Sequence, residues 1–169
     1  VLHYLIPLLS FALGVAAAEV IHIRYREAKR LHWRQLVLVV EILLLFGVGF
    51  IPNTLDLAAN ALVSFACAMQ VQAFRKVHGY PFASTMCIGN MRSGMESLVV
   101  YFHLHDKKVL HKALHYFGVI FLFAIGAGVG AHCVAVFGNK TIWFSCALLL
   151  VSLCFMFIQD EEEALKEKA

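Results

Sequence analysis

The sequence has little charge, and it lacks the residue patterns of common catalytic sites. Charged residues make up 15% of its 169 positions, whereas soluble domains carry about a quarter. It contains no Ser-His-Asp set, no paired-carboxylate site and no HExxH motif, so we expect neither enzyme activity nor a bound cofactor. Hydrophobic residues make up 61%, and the mean hydropathy of +0.77 indicates a protein whose main partner is the lipid bilayer.

The five cysteines include no CxxC pair, which argues against a disulfide framework and against a zinc knuckle. They are scattered along apolar stretches, at Cys67, Cys87, Cys133, Cys146 and Cys154. Their expected role is that of small buried hydrophobes. The 14 basic residues are bunched between apolar runs, so the net charge of +3 does not indicate a nucleic-acid partner.

Six apolar segments follow one another, each near the ~20 residues that a membrane-spanning helix needs. They cover residues 2–23, 35–51, 56–74, 82–103, 109–137 and 141–158. The sequence therefore predicts an all-α fold, a polytopic membrane helical bundle. Residues 1–158 are expected to form a single transmembrane domain, and residues 159–169 a short polar tail.

The basic clusters predict the orientation, because Lys and Arg are enriched in cytosolic loops. The clusters lie within residues 24–34, 75–76 and 107–112. A full span over 82–103 would put the third cluster outside, whereas a segment that dips in and returns keeps all three in the cytosol. We therefore predict about five spanning helices plus one broken or re-entrant segment, 82–103, in a multi-pass protein of the plasma (inner) membrane.

Polar residues in the stretch 67–98 are conspicuous because such groups are costly at membrane depth and often mark a working site. They include Gln70, Gln72, Thr85, Gly89, Asn90, Arg92 and Glu96. Arg92 and Glu96, at i and i+4, are expected to form a buried ion pair that either locks the segment or serves transport. Asn90 and Thr85 either present polar groups to a solute or cap backbone groups freed by a helix break at Gly89.

Other polar residues in the apolar segments leave alternatives open. Glu41 is the single carboxylate of its segment, and it is either proton-coupled or paired with a basic residue such as Arg92. Gln70 and Gln72 lie near the end of the third segment, where they either line a solute pathway or bond to neighbouring helices. Glu19 is expected to be a plain charge at the membrane interface.

The same region contains a motif in three blocks. The blocks are Phe74-Arg75-Lys76-Val77, then Ser84-Thr85-Met86-Cys87-Ile88-Gly89-Asn90-Met91-Arg92-Ser93, then Glu96-Ser97-Leu98. They resemble the second-half signature of the YoaK family, small bacterial inner-membrane proteins of unknown function. The resemblance implies that the chain lacks the N-terminal third of such a protein. That third is expected to hold a first copy of the motif, and two copies would form an inverted repeat, a plan shared by many transporters.

Histidine and glycine spacings suggest two further features. His111 and His115 have a spacing that zinc can use, but no cluster of Cys or carboxylate ligands joins them, so we expect no metal site. Gly126 and Gly130 form a GxxxG pair, which together with Gly118 predicts a helix-packing face. A homo-oligomer therefore stays open as an alternative.

Three function classes are compatible with these patterns. The leading one is a transporter or channel for an unidentified small molecule or ion, with the stretch 67–98 as its pathway. The alternative is a non-transporting membrane scaffold or partner protein, in which the polar residues stabilise an unusual fold. A membrane enzyme that uses the histidines is the third.

Overall fold

A computed structural model describes residues 2–25, 33–77, 80–81 and 87–167, and almost all of them are helical. The helices are α1 (Leu2–Tyr25), α2 (Trp33–Val48), α3 (Asp56–Ala73), α4 (Cys87–Leu104), α5 (Lys107–Phe137) and α6 (Ile142–Glu167). Short 3-10 turns, Asn53–Leu55 and Gly138–Thr141, precede α3 and α6. Apart from an antiparallel pair of two-residue strands, Lys76–Val77 and Tyr80–Pro81, the predicted all-α class is confirmed for these residues.

The chain divides into two compact units. The first unit comprises Val1–Ala73 and Phe137–Ala169, and therefore contains α1, α2, α3 and α6. The second comprises Phe74–Val136, with α4 and nearly all of α5.

In the first unit, α1 packs closely against α3 through small residues. Gly14 and Ala18, one turn apart on α1, are both buried. A β-carbon at position 14 would collide with the carbonyl oxygen of Phe65 and would lie 2.8 Å from Cβ of Ala68. The two helix backbones thus touch in the manner of small-xxx-small pairs in membranes. This face was not expected from the sequence.

The α2 helix packs against both α3 and α6. From Leu38 onward its buried residues recur every three or four positions, as expected for one helix face; the full set is Gln35, Val37, Leu38, Glu41, Leu45 and Val48. The thiol of Cys146 on α6 donates a hydrogen bond to the carbonyl oxygen of Ile42, with a sulfur–oxygen distance of 3.9 Å. Near the end of α2, the ring of Trp143 fills the space in front of Gly49.

These contacts fix the helix directions in the first unit. Gln72 of α3 lies beside Glu19 of α1, and His22 stacks on Trp33 at the start of α2. The last turns of α1 and α3 therefore share one end of the unit with the first turn of α2. Because α2 and α6 run antiparallel, the first turn of α6 lies at the opposite end.

The second unit is a helical hairpin. Gly94 of α4 faces Tyr116 of α5, a contact that requires the two helices to run antiparallel. The turn between them is short because His105 adopts a left-handed conformation, with φ of 52°. Asp106 then caps α5, since its side-chain Oδ1 accepts the backbone N–H of Lys108 at 2.9 Å.

The helix break expected at Gly89 is not present. The α4 helix passes through Gly89 and Asn90 without interruption, so the broken form predicted for segment 82–103 is wrong. A glycine inside a helix costs about 1 kcal/mol relative to alanine, which is not enough to interrupt α4 here. Residues 82–86 lie outside the described part of the chain, and with them the predicted site residue Thr85.

Two stretches are long and apolar enough to cross a membrane. They are Leu2–Tyr25 and the 52-residue Lys107–Ile158, which contains α5 and most of α6. Helix α2 has 16 residues, or about 24 Å at 1.5 Å per residue, which is shorter than the ~30 Å hydrocarbon layer. The residues predicted as a polar tail continue α6 as far as Glu167.

Candidate functional site

Glu41 is the most unusual polar residue of the first unit. Its side chain is 3% exposed, on the face of α2 that packs against α3 and α6. Its Oε2 atom has no hydrogen-bond partner among the described residues. The thiols of Cys67 on α3 and Cys146 on α6 lie close enough to interact with the carboxyl group electrostatically. One carboxyl group thus sits where three helices meet.

A carboxyl group in this environment is unstable in its charged form. Burying a polar group without a hydrogen bond costs about 1–3 kcal/mol in proteins, and an isolated buried charge costs far more. The two nearby thiols are weak donors and do not replace water as a carboxylate partner. The arrangement therefore favours binding a proton at Glu41, and conditions that expose the group to water favour releasing it.

A second polar cluster joins α1 to α3. The amide Nε2 of Gln72 donates to Oε2 of Glu19 at 2.5 Å, and Nδ1 of His22 lies 3.5 Å from Oε1 of the same carboxylate. The His22 ring stacks on Trp33, with centroids 4.4 Å apart. The expectation of a plain interfacial charge at Glu19 is therefore wrong, because Gln72 of α3 lies within reach. For Gln72, bonding to a neighbouring helix is the alternative that the structure shows.

Two glutamines extend the list of buried or half-buried polar groups. Gln35 is 2% exposed on α2 and has an interaction partner. Gln35 was not expected among the buried polar residues because it stands at the start of an apolar segment. Helix spacing gave no signal for it, because the six positions between Gln35 and Glu41 correspond to about 240° around the helix axis. Gln70 is half-buried on α3.

In the second unit, the buried face of α4 carries Asn90, Gly94 and Ser97. Asn90 is 3% exposed and has a partner. The hydroxyl of Ser97 donates to the carbonyl oxygen of Ser93 at 2.8 Å. Asn90 is therefore the residue of the predicted motif whose burial the structure supports, while Gly89 is exposed on the same helix.

Arg92 and Glu96 do not behave as expected. Both side chains are exposed, and in the described part of the chain they form no ion pair with each other. The expectation that Arg92 is buried and held by a carboxylate is therefore wrong for this structure. The reason is helix geometry: at 100° per residue, Arg92 and Glu96 lie about 200–240° around α4 from Asn90. Gly94, on the same buried face as Asn90, contacts Tyr116 of α5, so both charges lie on the part of α4 that faces away from this contact.

The predicted packing face on α5 is open in the structure. A β-carbon placed at Gly118, Gly126 or Gly130 would meet no atom within 4 Å among the described residues. The two helices run antiparallel from the turn at residues 105–106, with Gly94 opposite Tyr116. Because α5 is longer than α4, its last part extends past the first residue of α4. The GxxxG pair lies in that part, so its expected close packing is not made by α4.

The described residues contain no group of three or more His, Cys, Asp and Glu side chains that could hold a metal ion. His111 is exposed, and His115, one turn later, is half-buried and has a partner. The predicted site residues fall in both units. Glu41, Gln70 and Gln72 belong to the first, and Gly89, Asn90, Arg92 and Glu96 belong to the second.

Comparison with known proteins gives one match. A family model for DUF1275, described as a protein of unknown function, matches residues 1–155. This agrees with the resemblance to the YoaK family, which is confirmed. No curated protein and no solved structure matches the chain.

Proposed function

The chain belongs to the DUF1275 family, whose function is unknown, and we propose that it is a multi-pass inner-membrane protein that moves a small solute or ion. In this proposal Glu41 is the group that binds and releases a proton during transport. The observation that carries the proposal is the buried Glu41 carboxyl group, whose Oε2 lacks a hydrogen-bond partner among the described residues.

A membrane location is supported by the surface of the helices. Two stretches pass the length and composition test for spans, and large apolar side chains cover the exposed faces, among them Leu8, Leu13, Phe121, Leu122 and Phe155. Such a surface would be an aggregation liability in water, whereas lipid solvates it. The shorter α2 and α3 cross the layer beside α1 and α6 if the local bilayer thins around them.

The helix directions of the first unit support the predicted topology. The last turns of α1 and α3 and the first turn of α2 share one end, which carries Arg24 and Arg34 and continues into Arg75. Basic residues prefer the cytosol, so we assign that end to the cytosolic side. The chain then leaves the first unit on the cytosolic side after α3 and re-enters it at Phe137 on the outer side.

One crossing is needed to connect these two points, and α5 is the helix long enough to make it. Helix α5 then begins in the cytosol and ends outside, which places Lys107 and Lys108 in the cytosol as well. Because α4 runs antiparallel to α5, α4 then ends on the cytosolic side, as the re-entrant prediction requires. An unbroken α4 fits this topology, so the prediction needs no helix break at Gly89.

Cysteine labelling tests this topology. In a variant whose five native cysteines are replaced, we expect Lys108→Cys to resist an impermeant maleimide added to intact cells, because the site faces the cytosol. Lys140→Cys is the matched control at the other end of α5 and should be labelled. Both should react after detergent treatment. Labelling of Lys108→Cys from outside would show that α4 spans fully and would overturn the re-entrant topology.

Proton movement tests the role of Glu41. The purified full chain is reconstituted in liposomes that contain a pH-sensitive dye, and an acid pulse is applied outside. We expect wild-type protein to acidify the interior faster than protein-free liposomes, and Glu41→Gln to reduce the rate to the protein-free level. The amide keeps the shape of the side chain but binds no proton. Asp56→Asn, which neutralises an exposed carboxylate at the start of α3, should leave the rate unchanged.

Equal rates for the wild-type protein and Glu41→Gln, both above the protein-free level, would show that protons move by a route without Glu41. A wild-type rate at the protein-free level would reject proton-coupled transport. A second candidate function, a non-transporting scaffold, is favoured by the exposed charges of Arg92 and Glu96 on α4. In that case Arg92→Leu should change the size of the protein's membrane complex on native gels without affecting its fold.

A further inference from the structure

A groove at the junction of α5 and α6 has the features of a lipid-binding site. It has a volume of about 330 Å³ and is lined by Phe137, Lys140, Trp143, Phe144 and Ala147, all in the first unit. This volume is at the small end of the range of about 300–1,000 Å³ that small-molecule pockets occupy. Its lining is apolar except for the single cation of Lys140.

One wall of the groove is held in place by α2. The Trp143 ring lies against Phe46 and Phe50, with centroid distances of 6.1 and 5.4 Å. A β-carbon at Gly49 would collide with the indole nitrogen, so that edge of the ring is turned toward α2. The other ring contact at this corner is between Phe137 and Phe144, whose centroids are 5.9 Å apart. The groove therefore exists before a ligand arrives.

The position of the groove identifies the class of ligand. It lies where the 52-residue apolar stretch turns from α5 into α6, at a 3-10 turn that begins with Gly138 in a left-handed conformation, with φ of 59°. Tryptophan and lysine near helix ends are typical of the membrane interface, where the ring sits at headgroup level and the ammonium group reaches the headgroups. A soluble anion would find the single charge of Lys140 and no other donor in the groove, because the indole N–H of Trp143 is turned toward α2. An acyl chain would find four apolar walls.

We propose that this groove binds an anionic phospholipid, with an acyl chain against Trp143 and Ala147 and the phosphate group at Lys140. In the described residues the Lys140 ammonium has no competing acidic partner. A net negative headgroup is therefore held more firmly than a zwitterionic one, in which choline offsets the phosphate charge. The inference rests on the proposed membrane location but not on transport.

Tryptophan quenching tests the proposal directly. The chain contains two tryptophans, so Trp33→Phe leaves Trp143 as the sole fluorophore. The variant is reconstituted in phosphatidylcholine vesicles that contain a small fraction of either brominated phosphatidylglycerol or brominated phosphatidylcholine. We expect the brominated anionic lipid to associate about fivefold more strongly, the fold-change that corresponds to the ~1 kcal/mol attraction of one lysine to an anionic surface.

Substitutions at Lys140 test whether the positive charge of this side chain causes the preference for the anionic lipid. Lys140→Gln should abolish the preference for the anionic lipid while quenching by the brominated zwitterionic lipid persists, and Lys140→Arg should retain the preference. Lys108→Gln, a matched lysine exposed at the other end of α5, should also retain it. Ala147→Phe should reduce quenching by both lipids because the new ring fills the groove.

Any of the following quenching results would overturn the proposal. Equal quenching by the two lipids, or a preference that survives Lys140→Gln, would show that Lys140 selects no headgroup. A preference unchanged by Ala147→Phe would show that the charge acts without the groove. The absence of quenching by either lipid would place Trp143 outside the bilayer, which rejects the membrane location itself. Failure of proton transport with quenching intact would affect the proposed function alone.

Discussion

Gly14→Ala is expected to destabilise the protein by about 1–3 kcal/mol, the usual cost of inserting a methyl group into a filled interface. The new β-carbon would collide with the carbonyl oxygen of Phe65 and press on Cβ of Ala68. Both obstacles belong to α3, and a backbone oxygen cannot rotate away as a flexible side chain can. The α1 and α3 helices must therefore separate.

Gly47→Ala is the matched control for this prediction. Gly47 also lies within a helix of the first unit, but a β-carbon there would meet nothing within 4 Å. Alanine at this position should stabilise the helix by about 0.5–1 kcal/mol. Thermal unfolding of the purified full chain in detergent measures both variants, and shifts of opposite sign are expected. If Gly14→Ala unfolds at or above the wild-type temperature, the close contact between α1 and α3 does not exist.

Glu41→Leu is expected to raise the stability by about 1–3 kcal/mol, the usual cost in proteins of burying a polar group without a hydrogen bond. Leucine has a similar volume and leaves no polar atom unsatisfied, whereas Oε2 of Glu41 has no hydrogen-bond partner among the described residues. The same substitution should stop proton movement. Functional sites often contain residues that lower the stability of the protein but are required for its activity.

Gln35→Leu is the matched control on the same helix, α2. Gln35 is as deeply buried as Glu41 but has an interaction partner, so we expect leucine to remove that interaction and to destabilise the protein by about 1–3 kcal/mol. The two midpoints of thermal unfolding in detergent should therefore move in opposite directions. A loss of stability in Glu41→Leu comparable to that in Gln35→Leu would show that Glu41 makes a stabilising bond, and the proton site would lose its physical basis.

The positions of the helices were well determined by the sequence. Segment 109–137 was expected from its apolar run, and α5 extends over Lys107–Phe137. Segment 35–51 became α2 over Trp33–Val48. Helices this apolar are predictable because each satisfies its own backbone hydrogen bonds, so the limits depend on local residues such as Asp106 and Gly138. The family resemblance followed from a local motif in the same way.

The burial of individual polar residues was much less predictable. The i, i+4 spacing of Arg92 and Glu96 places them on one face of α4. It does not determine which face of α4 a neighbouring helix covers. Gly94 meeting Tyr116 settled that question and left both charges exposed. In the first unit, the partner of Glu19 proved to be Gln72, 53 positions along the chain. Helix spacing gives no information about such distant contacts.

The sequence by itself determined that the chain is helical, strongly apolar and a member of its family, because composition, periodicity and a motif are properties of neighbouring residues. Only the tertiary structure shows which of two similar pairs of small residues packs closely against another helix. Gly14 and Ala18 have the same spacing as Gly126 and Gly130, yet the first pair touches α3 and the second faces open space in the described structure. The physical reason is that a close approach depends on the shape of the facing helix, and for Gly14 that helix is α3.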